Sequence, residues 1–164
     1  MKFRIGVISD THLRAVTNTF MEIWDQYLCD KDVIVHAGDI VSTDIIEFLS
    51  RKDFHGVHGN MDPVEVKALL PRKKVIELGP YRLGLIHGWG ASASLEDGIL
   101  EEFENVDIIV YGHTHHAASH NREGVLLFNP GTATGFASSG IHSIGILELD
   151  HIIRGEIIRL AGEL

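Results

Sequence analysis

This chain of 164 residues is 45% hydrophobic and 23% charged, a composition typical of a globular protein, and its length predicts a single domain over residues 1–164. Its formal net charge of −9 at pH 7 argues against nucleic-acid backbone or anionic membrane as a partner, because both attract basic surfaces, and we expect no sequence-specific nucleic-acid binding and no membrane binding. The single cysteine, Cys29, excludes an internal disulfide bond, and no apolar run approaches the roughly 20 residues of a membrane span.

The first half of the chain predicts strands that alternate with helices. The apolar segment 3–8 is compact enough for a buried strand. It is too short for a signal peptide, so the cytoplasm is the expected location. A helix should follow, with Thr19 and Glu22 spaced as a capping box. Two further strands are predicted at 32–36 and 54–58, and each is followed by a helix, the second of which spans 64–70 and ends at Pro71.

The second half predicts a hairpin and then several strands with few helices. Residues 75–78 and 81–86 flank Gly79-Pro80 and predict the hairpin. Ser94 and Asp97 have the spacing to cap one more helix. Strand character then recurs at 107–111, 125–128, 141–149 and 152–160. A βαβαβ half followed by a meander implies a mixed sheet, or two packed sheets with helices outside.

Polar residues of metal-binding type follow five of the predicted strands, and most of them have a glycine beside them. They are Asp10 and His12, Asp39, Asn60, His87, and His113 with His115. Ligands collect at the carboxyl ends of strands that run the same way, and glycine lets the backbone approach a ligand closely. We therefore expect these seven side chains to form one site.

The donor set predicts the kind of ion. Seven ligands with only two carboxylates suit two divalent ions better than one, since a tetrahedral site needs three or four, and Asp39 is the plausible bridge. Two ions and two aspartates leave a charge of about +2, or about +1 with a bridging hydroxide, which attracts a phosphate anion even to an acidic protein. The imidazole-rich set without thiolates disfavours Ca²⁺ and soft ions, which leaves Mn²⁺, Fe²⁺, Zn²⁺, Co²⁺ and Ni²⁺.

Five short blocks, in this order, resemble those of the calcineurin-like metallophosphoesterase superfamily. The blocks are Asp10-x-His12, Gly38-Asp39, Gly59-Asn60-x-Asp62, His87-Gly88 and Gly112-His113-x-His115. The small size of the chain and the spacing of the blocks resemble the compact phosphodiesterase branch of this superfamily, which also includes the retromer scaffold subunit. The resemblance covers nearly the whole chain and implies an α/β fold, a four-layer α/β/β/α sandwich of two mixed β-sheets flanked by helices.

The resemblance also implies a ligand assignment and a reaction. One ion would be held by Asp10, His12, Asp39 and His115, and the other by Asp39, Asn60, His87 and His113. A hydroxide bridging the two ions would attack phosphorus in line, with Asp39, Asn60 and His87 as the catalytic residues. The resemblance thus predicts a metal-dependent phosphoesterase, and in particular a phosphodiesterase, that acts on a small phosphoester. Mn²⁺ is the first expectation among the ions, and a homo-oligomer is compatible with this function.

Two positions depart from the superfamily pattern. Met61 stands where many members have a histidine that protonates the leaving oxygen. Methionine has no proton to give, so activated diesters should be better substrates than alkyl monoesters unless His58, Asp62 or a metal-bound water supplies the proton. Trp89 stands where related enzymes often have a further histidine, and it could form a wall or a stacking surface for an aromatic leaving group, or simply pack in its loop.

The alternative function is a protein-binding scaffold that keeps the phosphoesterase fold with little activity. Loss of the acid at Met61 is one route to such a protein. The complete set of seven ligands argues against it, because a scaffold has no chemical need for all of them. His36 lies inside an apolar strand end, where we expect a hydrogen-bonded core histidine rather than an eighth ligand.

Overall fold

Two five-stranded β-sheets form the centre of the molecule. The computed structural model describes residues 1–135 and 140–160. Its strands are β1 (Phe3–Ile8), β2 (Val33–His36), β3 (Asp53–Gly56), β4 (Lys73–Leu78), β5 (Tyr81–Ile86), β6 (Ile108–Val110), β7 (Ala118–Arg122), β8 (Val125–Asn129), β9 (His142–Leu149) and β10 (Ile153–Leu160). The first sheet has the order β10-β9-β1-β2-β3 and the second the order β4-β5-β6-β8-β7.

Each sheet combines parallel and antiparallel strands. In the first sheet β1, β2 and β3 run parallel, β9 pairs antiparallel with β1, and β10 pairs antiparallel with β9 at the edge. In the second sheet β5, β6 and β8 run parallel, and β4 and β7 are antiparallel edge strands. The parallel strands of one sheet therefore end together, which gathers the loops that follow them.

Helices cover the outer faces of both sheets. They are α1 (Asn18–Ile23), which continues into a π-helical turn (Trp24–Leu28), α2 (Thr43–Leu49), α3 (Val64–Leu69) and α4 (Ser92–Glu101). Side chains alternate along each strand, so Ile5 and Val7 of β1 pack between the sheets while Ile8 packs under the helices. The fold is the four-layer α/β/β/α sandwich with two mixed sheets that the family resemblance implied.

Every helix within residues 1–135 and 140–160 is too short or too polar to cross a bilayer.

The predicted caps of two helices were wrong. Thr17 caps α1 instead of Thr19, because its backbone is extended and its Oγ1 accepts a hydrogen bond from Phe20 N at 3.1 Å. Ser94 lies inside α4, whose N-cap is Ala91. Both helices begin before the predicted cap, because the cap is fixed by backbone dihedral angles that sequence spacing does not reveal.

The edge strand β7 was missed. Four of its five residues are polar and three are exposed, so the strand lacks the apolar pattern by which the other strands were predicted. Glu123 and Gly124 join β7 to β8 as a two-residue turn with φ angles of 53° and 82°. That dipeptide was the available signal, because a two-residue hairpin turn of this type needs positive φ at both positions.

Candidate metal centre

The seven predicted side chains lie together where loops from both sheets meet. Asp10 and His12 follow β1, Asp39 follows β2 and Asn60 follows β3, while His87 follows β5 and the pair His113 and His115 follows β6. Backbone hydrogen bonds hold these loops to one another. Asp10 N donates to Gly38 O at 3.0 Å, and Gly112 N donates to His87 O at 3.0 Å.

Five of the seven side chains stand on backbone in the left-handed region. The φ angles are 52° at Asp10, 47° at His12, 57° at Asp39, 68° at His113 and 61° at His115. A residue with a Cβ pays about 1 kcal/mol or more for this conformation, so it persists only where the surrounding structure imposes it. Strain of this kind concentrates at functional sites. Here the left-handed backbone directs these side chains toward one another.

Four of the side chains form a compact group of metal ligands. Asp10, His12, Asp39 and His115 each offer one ligand atom, and these atoms all lie within 4.8 Å of one another. His115 Nε2 is 3.2 Å from Asp10 Oδ1, and His12 Nε2 is 3.6 Å from Asp39 Oδ2. Two carboxylates and two imidazoles at this spacing suit a borderline divalent ion.

The other three side chains lie beside this group. His87 Nε2 is 3.1 Å from Asn60 Oδ1 and 3.4 Å from Asp39 Oδ2. His113 Nδ1 is 3.2 Å from the same Asn60 oxygen, and the rings of His87 and His113 meet edge to face at 5.3 Å. Asp39 therefore faces both sets of ligands, as a bridging carboxylate must.

Each carboxylate has one oxygen held by the protein and the other directed at the imidazoles. Asp10 Oδ2 accepts from Ser9 Oγ at 2.6 Å and from His113 N at 3.2 Å. Asp10 Oδ1 is buried and makes no hydrogen bond within the described ranges. Burying a polar oxygen without a hydrogen-bond partner costs free energy, and coordination to a cation would offset that cost. The residues present therefore fit a divalent metal ion.

His87 gives the same indication through its tautomer. Its Nδ1 lies 2.7 Å from Ala37 O, so Nδ1 carries the hydrogen and neutral His87 presents a lone pair at Nε2. That lone pair faces oxygen acceptors of Asn60 and Asp39. Without a cation a proton takes that place: burial opposes the imidazolium, but a hydrogen bond from protonated Nε2 to Asp39 and the charge of Asp10 raise the pKa of His87 above its usual range. A bound cation would satisfy the His87 Nε2 lone pair and the Asn60 and Asp39 oxygens together.

Two glycines let the loops approach this closely. A Cβ at Gly59 would overlap Asp39 Oδ1, and one at Gly112 would overlap Ser9 Oγ.

Burial keeps His12 neutral, because desolvation lowers its pKa more than Asp39 and Asp10 raise it. Neutral imidazole is the form that binds a metal.

His36 is a core histidine with both ring nitrogens in use. Gly38 N donates to its Nδ1 at 3.0 Å, so its Nε2 carries the hydrogen that reaches Thr11 Oγ1 at 3.0 Å. The ring is fully buried, and this burial lowers its pKa to about 3. It has no lone pair left for an eighth metal bond.

Asp62, one of the two predicted proton donors, holds the loops. Its Oδ2 accepts from Asp39 N at 3.0 Å and from Gly59 N at 2.7 Å, and its Oδ1 accepts from Val41 N at 2.7 Å. Both oxygens are thus engaged with the backbone that carries Asp39 and Asn60. This arrangement favours the orienting role over proton transfer.

His58, the other predicted donor, lies in a loop because β3 ends at Gly56, two residues earlier than predicted. It lines an open pocket of about 350 Å³ beside the metal centre. Trp89 lines the same pocket and is 45% exposed, as a wall or stacking surface requires. Met61 is 58% exposed next to Asn60.

Sequence reasoning missed several supporting groups. Asn129 donates through Nδ2 to Gly112 O at 3.1 Å and to Thr114 Oγ1 at 3.0 Å, and Thr132 Oγ1 donates to Asp10 O at 2.9 Å. Asn129 ends β8 and Thr132 follows it, so the turn after β8 supports the metal centre through these side chains. Arg72, which follows Pro71 with no strand-end pattern to mark it, lines the pocket beside the metal centre.

Comparison with known proteins identifies relatives over most of the chain. Residues 3–151 match the family model of the calcineurin-like phosphoesterase superfamily domain. A probable metallophosphoesterase of Methanocaldococcus jannaschii is 34% identical over 144 residues, covering 79% of this chain and 68% of the relative. One of Methanothermobacter thermautotrophicus is 36% identical over 135 residues, covering 79% of this chain and 77% of the relative.

Solved structures share the fold. A predicted phosphoesterase of Streptococcus pneumoniae superposes with a TM-score of 0.75 at 23% identity, covering 97% of this chain and 90% of its own. Vacuolar protein sorting 29 of Cryptosporidium parvum gives 0.73 at 23% identity, covering 98% and 99%. An archaeal phosphodiesterase gives 0.70 at 24% identity, covering 94% and 99%.

Proposed function

Because this chain belongs to the calcineurin-like phosphoesterase superfamily, we propose that it is a metal-dependent phosphodiesterase that hydrolyses a small phosphoester. The observation that carries the proposal is the placement of Asp39 between two groups of ligands. Asp10, His12 and His115 lie on one side of it, and Asn60, His87 and His113 lie on the other. A likeness to an archaeal phosphodiesterase supports the fold of such an enzyme.

Divalent ions bound here would activate water for in-line attack on phosphorus and would offset the charge that develops on the phosphoryl oxygens. The protein's part is to hold the ligands in a fixed array. Asn60 is exposed and His113 and His115 are half-buried, so a phosphoester would enter the site from the side on which these three residues lie. Asp10, Asp39 and His87 are buried beneath them and set the array against the core.

The Met61 side chain has no proton to donate to the leaving oxygen. Met61 occupies the loop between Asn60 and Asp62, and Asp62 is engaged with backbone amides. Without an acid an alkoxide leaves poorly, by about 10²–10⁴-fold, whereas an aryl oxide leaves unaided. We therefore propose activated diesters as the preferred substrates, with His58 or a metal-bound water as the remaining candidate donors and Mn²⁺ as the first ion to test.

The experiment is metal analysis of the purified protein, followed by hydrolysis of paired aryl monoesters and diesters with Mn²⁺, Ni²⁺, Zn²⁺, Fe²⁺ or Co²⁺. Asp39→Asn should abolish turnover and lower the metal content, because it weakens both groups of ligands at once. Asp25→Asn, an exposed carboxylate in the π-helical turn, should leave both unchanged. Unchanged turnover in Asp39→Asn would exclude the assigned site.

The alternative is a scaffold that binds proteins and has little activity. A structural likeness to vacuolar protein sorting 29 brings this possibility to mind, although it concerns the fold alone. Binding of metal without hydrolysis of any diester, at any of the ions, would favour it. A hydrolysis rate that does not vary with the pKa of the leaving group would contradict the proposed lack of a proton donor. It would leave the proposed phosphodiesterase activity intact.

A further inference from the structure

The pocket beside the metal centre is positively charged in an acidic protein. Two permanent cations, Lys67 and Arg72, line it, and none of the described lining residues is a carboxylate. The pocket on the opposite sheet edge differs, because Asp30, Glu148 and Glu156 line it together with its cations. With a net charge of −9 for the chain, a carboxylate-free pocket with two cations stands out as a site for an anion.

Arg72 is held in a fixed orientation. Its Nη1 and Nη2 donate to the two carboxylate oxygens of Glu102 at 3.0 and 2.8 Å, and its guanidinium carbon is 5.1 Å from the centre of the Trp89 ring. Lys73 Nζ donates to Glu102 as well, at 2.8 Å, so two cations share one carboxylate. Three of the five N–H groups of Arg72 remain for a ligand, and a guanidinium held in advance loses little entropy on binding.

Lys67 adds a second, unpaired charge. It lies on α3 next to Val66, which is fully buried and fixes the helix against the core. Lys67 is exposed and makes no ion pair within residues 1–135 and 140–160. The charges of Lys67, Arg72, Lys73 and Glu102 therefore sum to about +2 at this edge of the site.

The same pocket reaches the metal centre, because Asn60 and His87 also line it. We propose that this pocket binds a second phosphate group of the substrate, so that the substrate is a phosphodiester carrying a further phosphate, with Arg72 and Lys67 as the specificity-determining residues. The inference rests on the proposed phosphodiesterase function. Two cations match one additional phosphate rather than a long polyanion, which agrees with the acidic surface.

The test uses two substrates that differ by one phosphate. They are the p-nitrophenyl ester of thymidine 5′-phosphate and the same ester with a phosphate at the 3′ position, and both release p-nitrophenol. We expect kcat/KM to be about tenfold higher for the substrate with the extra phosphate, which corresponds to about 1.4 kcal/mol. Arg72→Gln and Lys67→Gln should each lower this ratio at least threefold. Arg72→Lys should restore part of it, because the charge returns without the planar fork.

Arg51→Gln is the matched control, because the Arg51 guanidinium lies 4.8 Å from the Phe48 ring and outside the pocket. It should change neither the ratio nor the turnover. Equal kcat/KM for the two substrates in the wild type would overturn the inference while leaving the phosphodiesterase function standing. So would an unchanged ratio in both Arg72→Gln and Lys67→Gln.

A binding measurement separates this inference from the failure of catalysis. Calorimetry of metal-free protein with thymidine 3′,5′-bisphosphate should show binding that is at least threefold weaker in Arg72→Gln. Equal affinity of the variant, or no measurable binding by the wild type, would overturn the inference. Loss of turnover on both substrates with binding retained would count against the proposed reaction alone.

Discussion

The Asp62 carboxylate accepts three backbone N–H groups and fixes the two loops that present Asp39 and Asn60. Asp62→Asn replaces one acceptor oxygen by a donor that faces an amide, which should lower the free energy of unfolding by about 1–3 kcal/mol. Urea unfolding measures this loss, with Asp25→Asn as the control. If Asp62 were instead the proton donor, its loss would steepen the dependence of the rate on the pKa of the leaving group.

His36 should make stability sensitive to acid. Its pKa in the fold is about 3, because it is buried, against an ordinary value of 6.5. The unfolded chain therefore takes up a proton below pH 6.5 while the folded protein does not, so stability is present above pH 6.5 and is lost as the pH falls toward 3. The loss from this group should reach at most about 1.4 kcal/mol per pH unit.

The check is the free energy of unfolding of metal-free protein between pH 7.5 and 5. His36→Gln should flatten its pH dependence, whatever the variant's stability at neutral pH. His151→Gln, at a side chain that is 96% exposed, should leave the dependence unchanged. A His36→Gln protein with the slope of the wild type would show that His36 does not carry the effect.

The residue types of the site could be predicted, but its backbone could not. Asp39 and His87 follow apolar strands and have glycine neighbours, and this pattern is visible in a single sequence. The positive φ angles at Asp10 and His12 go with hydrogen bonds from their backbone N–H groups to Gly38 and Asp39 in another loop, which the local sequence does not show. Arg72 was missed for the same reason, because Glu102 and Trp89 reach it only in the folded chain.

At the scale of an element, α1 offers a direct comparison of two caps. Thr17 accepts a hydrogen bond from Phe20 N, whereas the predicted cap, Thr19, lies within the first turn. Thr17→Ala should lower the free energy of unfolding by about 1 kcal/mol, and Thr19→Ala by clearly less. Thermal or urea unfolding of both variants measures the difference. A larger loss in Thr19→Ala would restore the predicted capping box.

Strands with apolar patterns were predicted, and those without were not. In β1 and β2 nearly continuous apolar runs reflect burial on both faces, which is typical of parallel strands under helices. In β7 only the ends are partly buried, so its pairing with β8 is a matter of backbone hydrogen bonds and the turn at Glu123-Gly124. Backbone pairing leaves little trace in residue type.

At the scale of the whole molecule, the metal centre joins the two sheets. The first sheet supplies Asp10, His12, Asp39 and Asn60, and the second supplies His87, His113 and His115. Hydrogen bonds cross the junction directly, among them those from His87 Nδ1 to Ala37 O at 2.7 Å and from His113 N to Asp10 Oδ2 at 3.2 Å. Asp10, Asp39 and His87 are buried at this junction, and burial of ionisable groups costs free energy that a bound cation would offset.

Metal binding should therefore stabilise the fold as a whole. A divalent ion at 100 times its dissociation constant adds about 2.7 kcal/mol to the free energy of unfolding. For a chain of this size that raises the melting temperature by about 5–10 °C. Scanning calorimetry of chelator-treated protein, with and without added Mn²⁺, measures the shift. Asp39→Asn should lose most of it, because both groups of ligands share this carboxylate, whereas Arg51→Gln should keep it. A melting temperature that does not change when Mn²⁺ is added would contradict a metal site formed by residues of both sheets.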